Sequence, residues 1–228
     1  MESSGFIYLL CGCETEHDAC GSRILLGRRL TGILTANGER QARNLAVYLQ
    51  ARGVTDLYTG PSRPLVRMTG ILSQRLGCRT TYCVSLHDVD VGCFEGRDPE
   101  QHHSCGDRDA GLYKTDPLVF GCPGGETLKQ VQQRTVKFLN ALATRCNGQR
   151  IAVVVHKYVA IAILSKLMDI ESARVREIDQ TPGCVNVIRT VAGRSTVQRI
   201  NCTENSFMLD VEDDPCVVSL NMRAASAL

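Results

Sequence analysis

The stretch Ile7-Tyr8-Leu9-Leu10-Cys11-Gly12-Cys13-Glu14-Thr15 begins as a buried strand and ends as a polar turn. Ile and Tyr favour extended backbone, and a leucine pair behind them leaves no polar face, so the strand is expected to be covered on both sides. Sheets of that kind bind ligands beyond the carboxyl ends of their strands. Cys11, Gly12 and Cys13 therefore stand where the chemistry of an α/β protein belongs.

Working outward, three more apolar, β-rich runs follow: Val54 to Tyr58, Ile151 to Val155, and Cys184 to Thr190, the last trailed by Val197 to Asn201. Amphipathic stretches lie between them. Thr35 is a helix N-cap ahead of Gln41, Ala42, Leu45, Ala46 and Leu49 on one face, closed by Gly53. Arg63 to Leu76, Thr127 to Arg145 and Val159 to Met168 have the same spacing. Val131, Phe138, Leu139 and Leu142 form the inward face of the third. Strands alternating with helices predict an α/β three-layer sandwich, a mainly parallel central sheet flanked by helices. The predicted domain covers residues 1–205, with an aperiodic loop insertion over about 93–125. Residues 206–228 form a C-terminal tail of no clear class.

Composition narrows the function. The 228 residues are 43% hydrophobic, enough for one sizeable core. A net charge of +2, spread without a run of like charges, offers no track for nucleic acid and no anchor for a membrane surface. No apolar stretch approaches the roughly 18 residues of a spanning helix, and a strand starting near residue 6 leaves no room for a leader, so an intracellular, cytoplasmic protein is expected. The 12 cysteines make the chain cysteine-rich, but a core of this size needs no disulfide scaffold. Most of them are read as reduced, buried thiols. Cys11, Cys13 and Cys20, and separately His102, His103 and Cys105, lack the paired spacing of zinc sites. No metal and no cofactor are expected.

The order of motifs resembles the histidine phosphatase superfamily, with its phosphoglycerate-mutase-like fold. Ile7 to Thr15 occupies the frame of that family's opening strand and Arg-His-Gly-Glu-Thr turn. Ile33-Leu34-Thr35-Ala36-Asn37-Gly38-Glu39-Arg40-Gln41-Ala42 follows its Pro-Leu-Thr-x-x-Gly-x-x-Gln-Ala. Ser62-Arg63-Pro64-Leu65-Val66-Arg67 resembles Ser-x-Pro-Leu-x-Arg, although an alignment through Gly60-Pro61 sets Pro64 at the arginine position. Leu86 to Gly96, Pro123-Gly124-Gly125-Glu126-Thr127 with Arg134, Val154-Val155-His156-Lys157, and Asn201-Cys202-Thr203 complete the series.

The resemblance implies a phosphohistidine mechanism: one histidine attacks phosphorus, a second histidine and two arginines hold the phosphoryl oxygens, and an acid protonates the leaving group. Such catalysis is mostly positioning and charge cancellation. Carried over residue by residue, the nucleophile is Gly12, the first arginine is Cys11, the glycine is Cys13, and the acid is Asp88, one carbon shorter than the usual glutamate. Arg67, His156 and Lys157 remain as a phosphate-binding remnant. Losing one arginine and one histidine weakens phosphate binding by about a hundred- to ten-thousandfold, and losing a nucleophile costs on the order of a millionfold in rate. The expectation is a catalytically inactive pseudophosphatase acting as a structural or protein-interaction component in a larger assembly, with a phosphorylated ligand as its small partner. The alternative is an active phosphomonoesterase or mutase using Cys11 or Cys13 as a substituted nucleophile. Glu126 is expected to stabilise its helix start, and Arg28 and Arg29 to lie in a solvated loop.

Overall fold

The computed structural model describes residues 4–98, 115–146 and 148–207. Strand β1 (Gly5–Cys11) is buried along its whole length, as its unbroken apolar sequence requires. A short helix α1 (Glu16–Ala19) follows, then α2 (Ala36–Ala51), whose Thr35 N-cap accepts the Gly38 N–H. β2 (Asp56–Thr59) leads into α3 (Arg63–Leu76), and β3 (Thr80–Tyr82) closes the first half. The second half runs through α4 (Leu128–Ala143), β4 (Arg150–Val155), α5 (Lys157–Leu167), β5 (Val185–Val191) and β6 (Arg194–Cys202).

The sheet order is β3-β2-β4-β1-β5-β6. Its first four strands are parallel, while β5 and β6 run antiparallel, so the sheet is mixed. The anticipated runs Cys184 to Thr190 and Val197 to Asn201 fall in the two arms of this β5–β6 hairpin, turned at Ala192 and Gly193, both at positive φ. Among the described strands β3 escapes a sequence reading: it has three residues, two of them exposed, and no apolar run.

Alternation along β1 divides the core. Ile7 and Leu9 face α4 and α5, packing with Val131, Leu139, Val153 and Ile163. Tyr8 and Leu10 face α2 and α3, packing with Leu45, Leu49, Leu65 and Met68. Phe138, expected to point inward, is only partly buried, its ring edge against Tyr58. Among the described residues no helix is long and apolar enough to cross a membrane. Of the cysteines within them, Cys11, Cys13, Cys122, Cys146 and Cys184 are buried free thiols, whereas Cys20 and Cys93 are exposed. Residues 99–114 of the aperiodic segment 93–125, with His102, His103 and Cys105, and residues 208–228 of the tail fall outside the described residues.

One close approach ties α2 to the end of β1. A Cβ on Gly38 would lie 2.1 Å from the Glu14 carbonyl oxygen, so only glycine lets the helix start meet that turn. Gly70, exposed in the middle of α3, has open space around it. The two positions should respond oppositely to alanine. Gly38→Ala is expected to destabilise by about 1–3 kcal/mol through overpacking, and Gly70→Ala to stabilise by roughly 0.5–1 kcal/mol through helix propensity, both read from urea unfolding midpoints.

Candidate functional site

Parallel pairing of β1 with β4 sets Cys11 opposite Val155, and the Gly12 N–H donates to the Val155 carbonyl at 2.9 Å. Gly12 and His156 thus leave the sheet side by side. They open onto a cavity of about 770 Å³ whose wall includes Cys11, Cys13, Asp88 and Lys157. Five of the anticipated positions, with His156, do converge on one cleft.

Arg67 does not. Its Nε and Nη2 donate to Glu39 Oε1 of α2 at 2.8 and 2.6 Å, on the solvent side of α3. That guanidinium holds the Glu39 carboxyl below its ordinary range. Pro64 and Leu65 line the cavity in its place, in keeping with the alignment through Gly60-Pro61. Along a helix, two residues turn the side chain by about 200°, so the inward face at Leu65 carries Arg67 outward. Of the three residues expected as a phosphate-binding remnant, His156 and Lys157 line the cleft and Arg67 does not.

Gly12 contributes no side chain to the site, and a Cβ there would sit 3.1 Å from Leu65 Cδ2. The flanking thiols differ. Strand alternation ends with β1 at Cys11, and Cys13 packs into the α2–α3 side of the core, where burial first and the neighbouring Cys11 second push its thiol well above the usual range. Cys184, just ahead of β5 with its carbonyl accepting the Cys11 N–H at 3.0 Å, is raised by its contact with the Cys11 sulfur and by burial.

His156 is the N-cap residue of α5 and makes no side-chain cap bond. Its ring is held from both sides instead: Nε2 lies 2.6 Å from Ser62 Oγ, and Nδ1 lies 3.7 Å from Asp88 Oδ2. Asp88 is buried, and its Oδ1 accepts the Val89 N–H at 2.8 Å. Ser62 was legible only as a motif letter, because its partner is 94 residues away.

The turn carrying Asp88 is fixed by Arg134. Its Nη1 donates to the carbonyls of Ser85 and His87, each at 2.8 Å, and Nη2 to that of Asp88 at 3.0 Å. The same guanidinium grips Glu126 through both carboxylate oxygens, at 3.0 and 3.1 Å, and Arg28 adds a 2.7 Å bond to Glu126 Oε2. Glu126 is therefore no mere helix-start charge; Thr127 and Gln130 form the capping box of α4. Arg28 is likewise tied down rather than solvated, and Arg29 and Leu30 donate their backbone N–H groups to Glu95. His87, beside this cluster, is lowered by burial and then by Arg28 and Arg134. Among the described residues no group of three His, Cys, Asp or Glu side chains is placed to hold a metal.

Comparison with known proteins agrees with this architecture. The sequence model described as the histidine phosphatase superfamily (branch 1) matches residues 7–203. The probable phosphoglycerate mutase GpmB of Cronobacter sakazakii is 26% identical over 181 residues, covering 75% of this chain and 79% of that protein. Its Salmonella typhi counterpart is 25% identical over the same shares. Among solved structures, YhfR of Bacillus stearothermophilus superposes with a TM-score of 0.76 at 20% identity, covering 84% of this chain and 94% of its own. The alpha-ribazole phosphatase of Shigella flexneri superposes with 0.76 at 19% identity, covering 91% and 100%.

The Glu126 cluster has a pH signature. Burial raises the Glu126 carboxyl, but Arg134, the Asp90 N–H and Arg28 together outweigh it and hold the group below its ordinary value. A depressed folded value means the stabilisation is complete above the unfolded carboxylate value and is lost as pH falls through the folded one. Between about pH 5 and 2 the unfolding free energy of Glu126→Gln is therefore expected to fall less steeply than that of the wild type, measured by chemical denaturation.

Proposed function

Because the chain belongs to the histidine phosphatase superfamily, we propose that it is a pseudophosphatase, a member that has given up phosphohistidine chemistry and acts as a structural or protein-interaction component. The observation that carries this is Gly12 at the end of β1: the position that the family resemblance gives to the nucleophile has no side chain to attack with. The remaining groups support the same reading. In-line phosphoryl transfer needs several cations around three oxygens. Here Arg67 is committed to Glu39, Pro64 stands in the wall, and Asp88, Asp18 and Asp98 share the cavity with Arg23, Lys157, His17 and His156, so its acids offset its cations. His156 is itself engaged by Ser62 and Asp88. A phosphorylated ligand would be held weakly, by His156 and Lys157, and the outer surface would dock a protein partner within a larger intracellular assembly.

A rival reading is an active phosphomonoesterase with Cys11 or Cys13 as nucleophile. The printed names of the structural neighbours, among them alpha-ribazole phosphatase, favour turnover in this fold, and Cys11 lines the cavity. Against it, Cys13 is a buried thiol held protonated, and a thiol attacks only as its thiolate.

Hydrolysis of p-nitrophenyl phosphate by wild type and by Cys11→Ser, Cys13→Ser and His156→Ala separates the two. No turnover above buffer by any of the four, with inorganic phosphate bound no tighter than about millimolar in calorimetry, is the expected result. Turnover by wild type that a cysteine variant loses would establish the rival.

A further inference from the structure

Ser62 occupies the N-cap of α3, where a serine hydroxyl ordinarily accepts an amide N–H from the second or third helical residue. It makes no such bond. The second helical residue is Pro64, which has no N–H to give. The freed hydroxyl lies 2.6 Å from His156 Nε2. On the far side of the ring the buried Asp88 carboxylate faces Nδ1 at 3.7 Å, which favours the tautomer with its proton on Nδ1 and leaves Nε2 as the acceptor for Ser62.

Serine, imidazole and carboxylate are thus in line, drawn from the starts of α3 and α5 and from the turn held by Arg134. The order of roles is that of an activated nucleophile, a base and the group orienting the base. The 3.7 Å separation is longer than a hydrogen bond, as is common for catalytic contacts in ligand-free sites. Asp88, His156, Pro64 and Leu65 line the 770 Å³ cavity, while Ser62, 8% exposed, is joined to it through its contact with the His156 ring. Lys157, exposed at the first position of α5, brings a cation and the helix's leading amides to the same opening. A second, mostly apolar pocket of about 320 Å³, lined by Val89, Phe120 and Ile161, shares Lys157 and Tyr158 with the first.

We infer that Ser62, His156 and Asp88 form an acyl-transfer site for a carboxylic ester with an apolar arm, a reactivity separate from phosphoryl chemistry. Ser62 Oγ forms a bond to the ester carbonyl carbon as its proton passes to His156 Nε2. The resulting oxyanion is met by Lys157 and the amides at the start of α5. Its collapse breaks the carbon–oxygen bond to the alcohol, which leaves with the proton from His156. Water then attacks the acyl-serine, His156 takes the water proton and returns it to Oγ, and the carboxylic acid is released.

The test is labelling of the full-length protein by a fluorophosphonate probe, with the modified residue located by peptide mass spectrometry, alongside hydrolysis of p-nitrophenyl butyrate. Stoichiometric labelling at Ser62, slowed on the order of a thousandfold in His156→Gln and markedly in Asp88→Asn, is expected. Locating the label on the wild type keeps the result decisive if Ser62→Ala misfolds. Absence of labelling, or labelling at another residue, overturns the inference and leaves the Ser62–His156 bond a structural contact. Phosphomonoesterase activity that survives in Ser62→Ala would count against the pseudophosphatase reading and not against this one.

Discussion

The parallel register of β1 and β4 is the constraint from which the site follows. Once Cys11 is set against Val155, the chain can leave the sheet only with Gly12 beside His156, and the Gly12 N–H to Val155 carbonyl bond locks the two exits together. Everything else at the cleft is arranged around that pair. α3 brings Ser62 from one side, and the Ser85-to-Asp88 turn brings a carboxylate from the other.

That turn is not self-supporting, and its rigidity is electrostatic in origin. Three carbonyls converge on one guanidinium, which alone would leave Arg134 with an uncompensated charge at a half-buried site. Glu126 supplies the compensation through two oxygens and gains Arg28 as a second partner. Bidentate pairing of this kind adds direction as well as energy. Since Arg134 lies within α4 and Glu126 just ahead of its Thr127 cap, the turn that carries the acid of the cleft is anchored to a helix. The same economy appears at Glu14, whose carboxylate accepts from Thr35 and Asn37 and whose N–H donates to Gln41, joining the β1 turn to α2.

On the proposed reading, with such a frame intact and a glycine where the family resemblance sets the nucleophile, fold and phosphoryl chemistry come apart. Fold lives in the buried alternation of β1 and in helix faces, which tolerate any apolar residue of suitable size. Chemistry lives in a few side chains at strand ends, and these contribute little to packing. On that reading Gly12 stands in the place of a reactive residue while Ile7, Leu9, Tyr8 and Leu10 hold the same sheet together. What the geometry offers afterwards is set by the groups that remain within reach of His156.

Taken by itself, the sequence determined the strand at Phe6 to Leu10, the cap at Thr35, the helix Arg63–Leu76 to the residue, and the likeness that names the family. These are local: period, capping and motif order are all written along the chain. It also marked Gly12, Cys13, Asp88, His156 and Lys157 for one cleft, since strand ends in parallel sheets share an edge. Tertiary structure alone decided the rest. β3 exists because β2 offers it an edge to pair with, not because Thr80-Thr81-Tyr82 prefers to be a strand. Arg67 belongs to Glu39 because α2 lies against α3, and the Ser62–His156–Asp88 line exists only where a helix start, a second helix start and a clamped turn meet. Contacts between residues dozens of positions apart leave no periodicity to read, so only the folded chain could bring them within hydrogen-bonding distance.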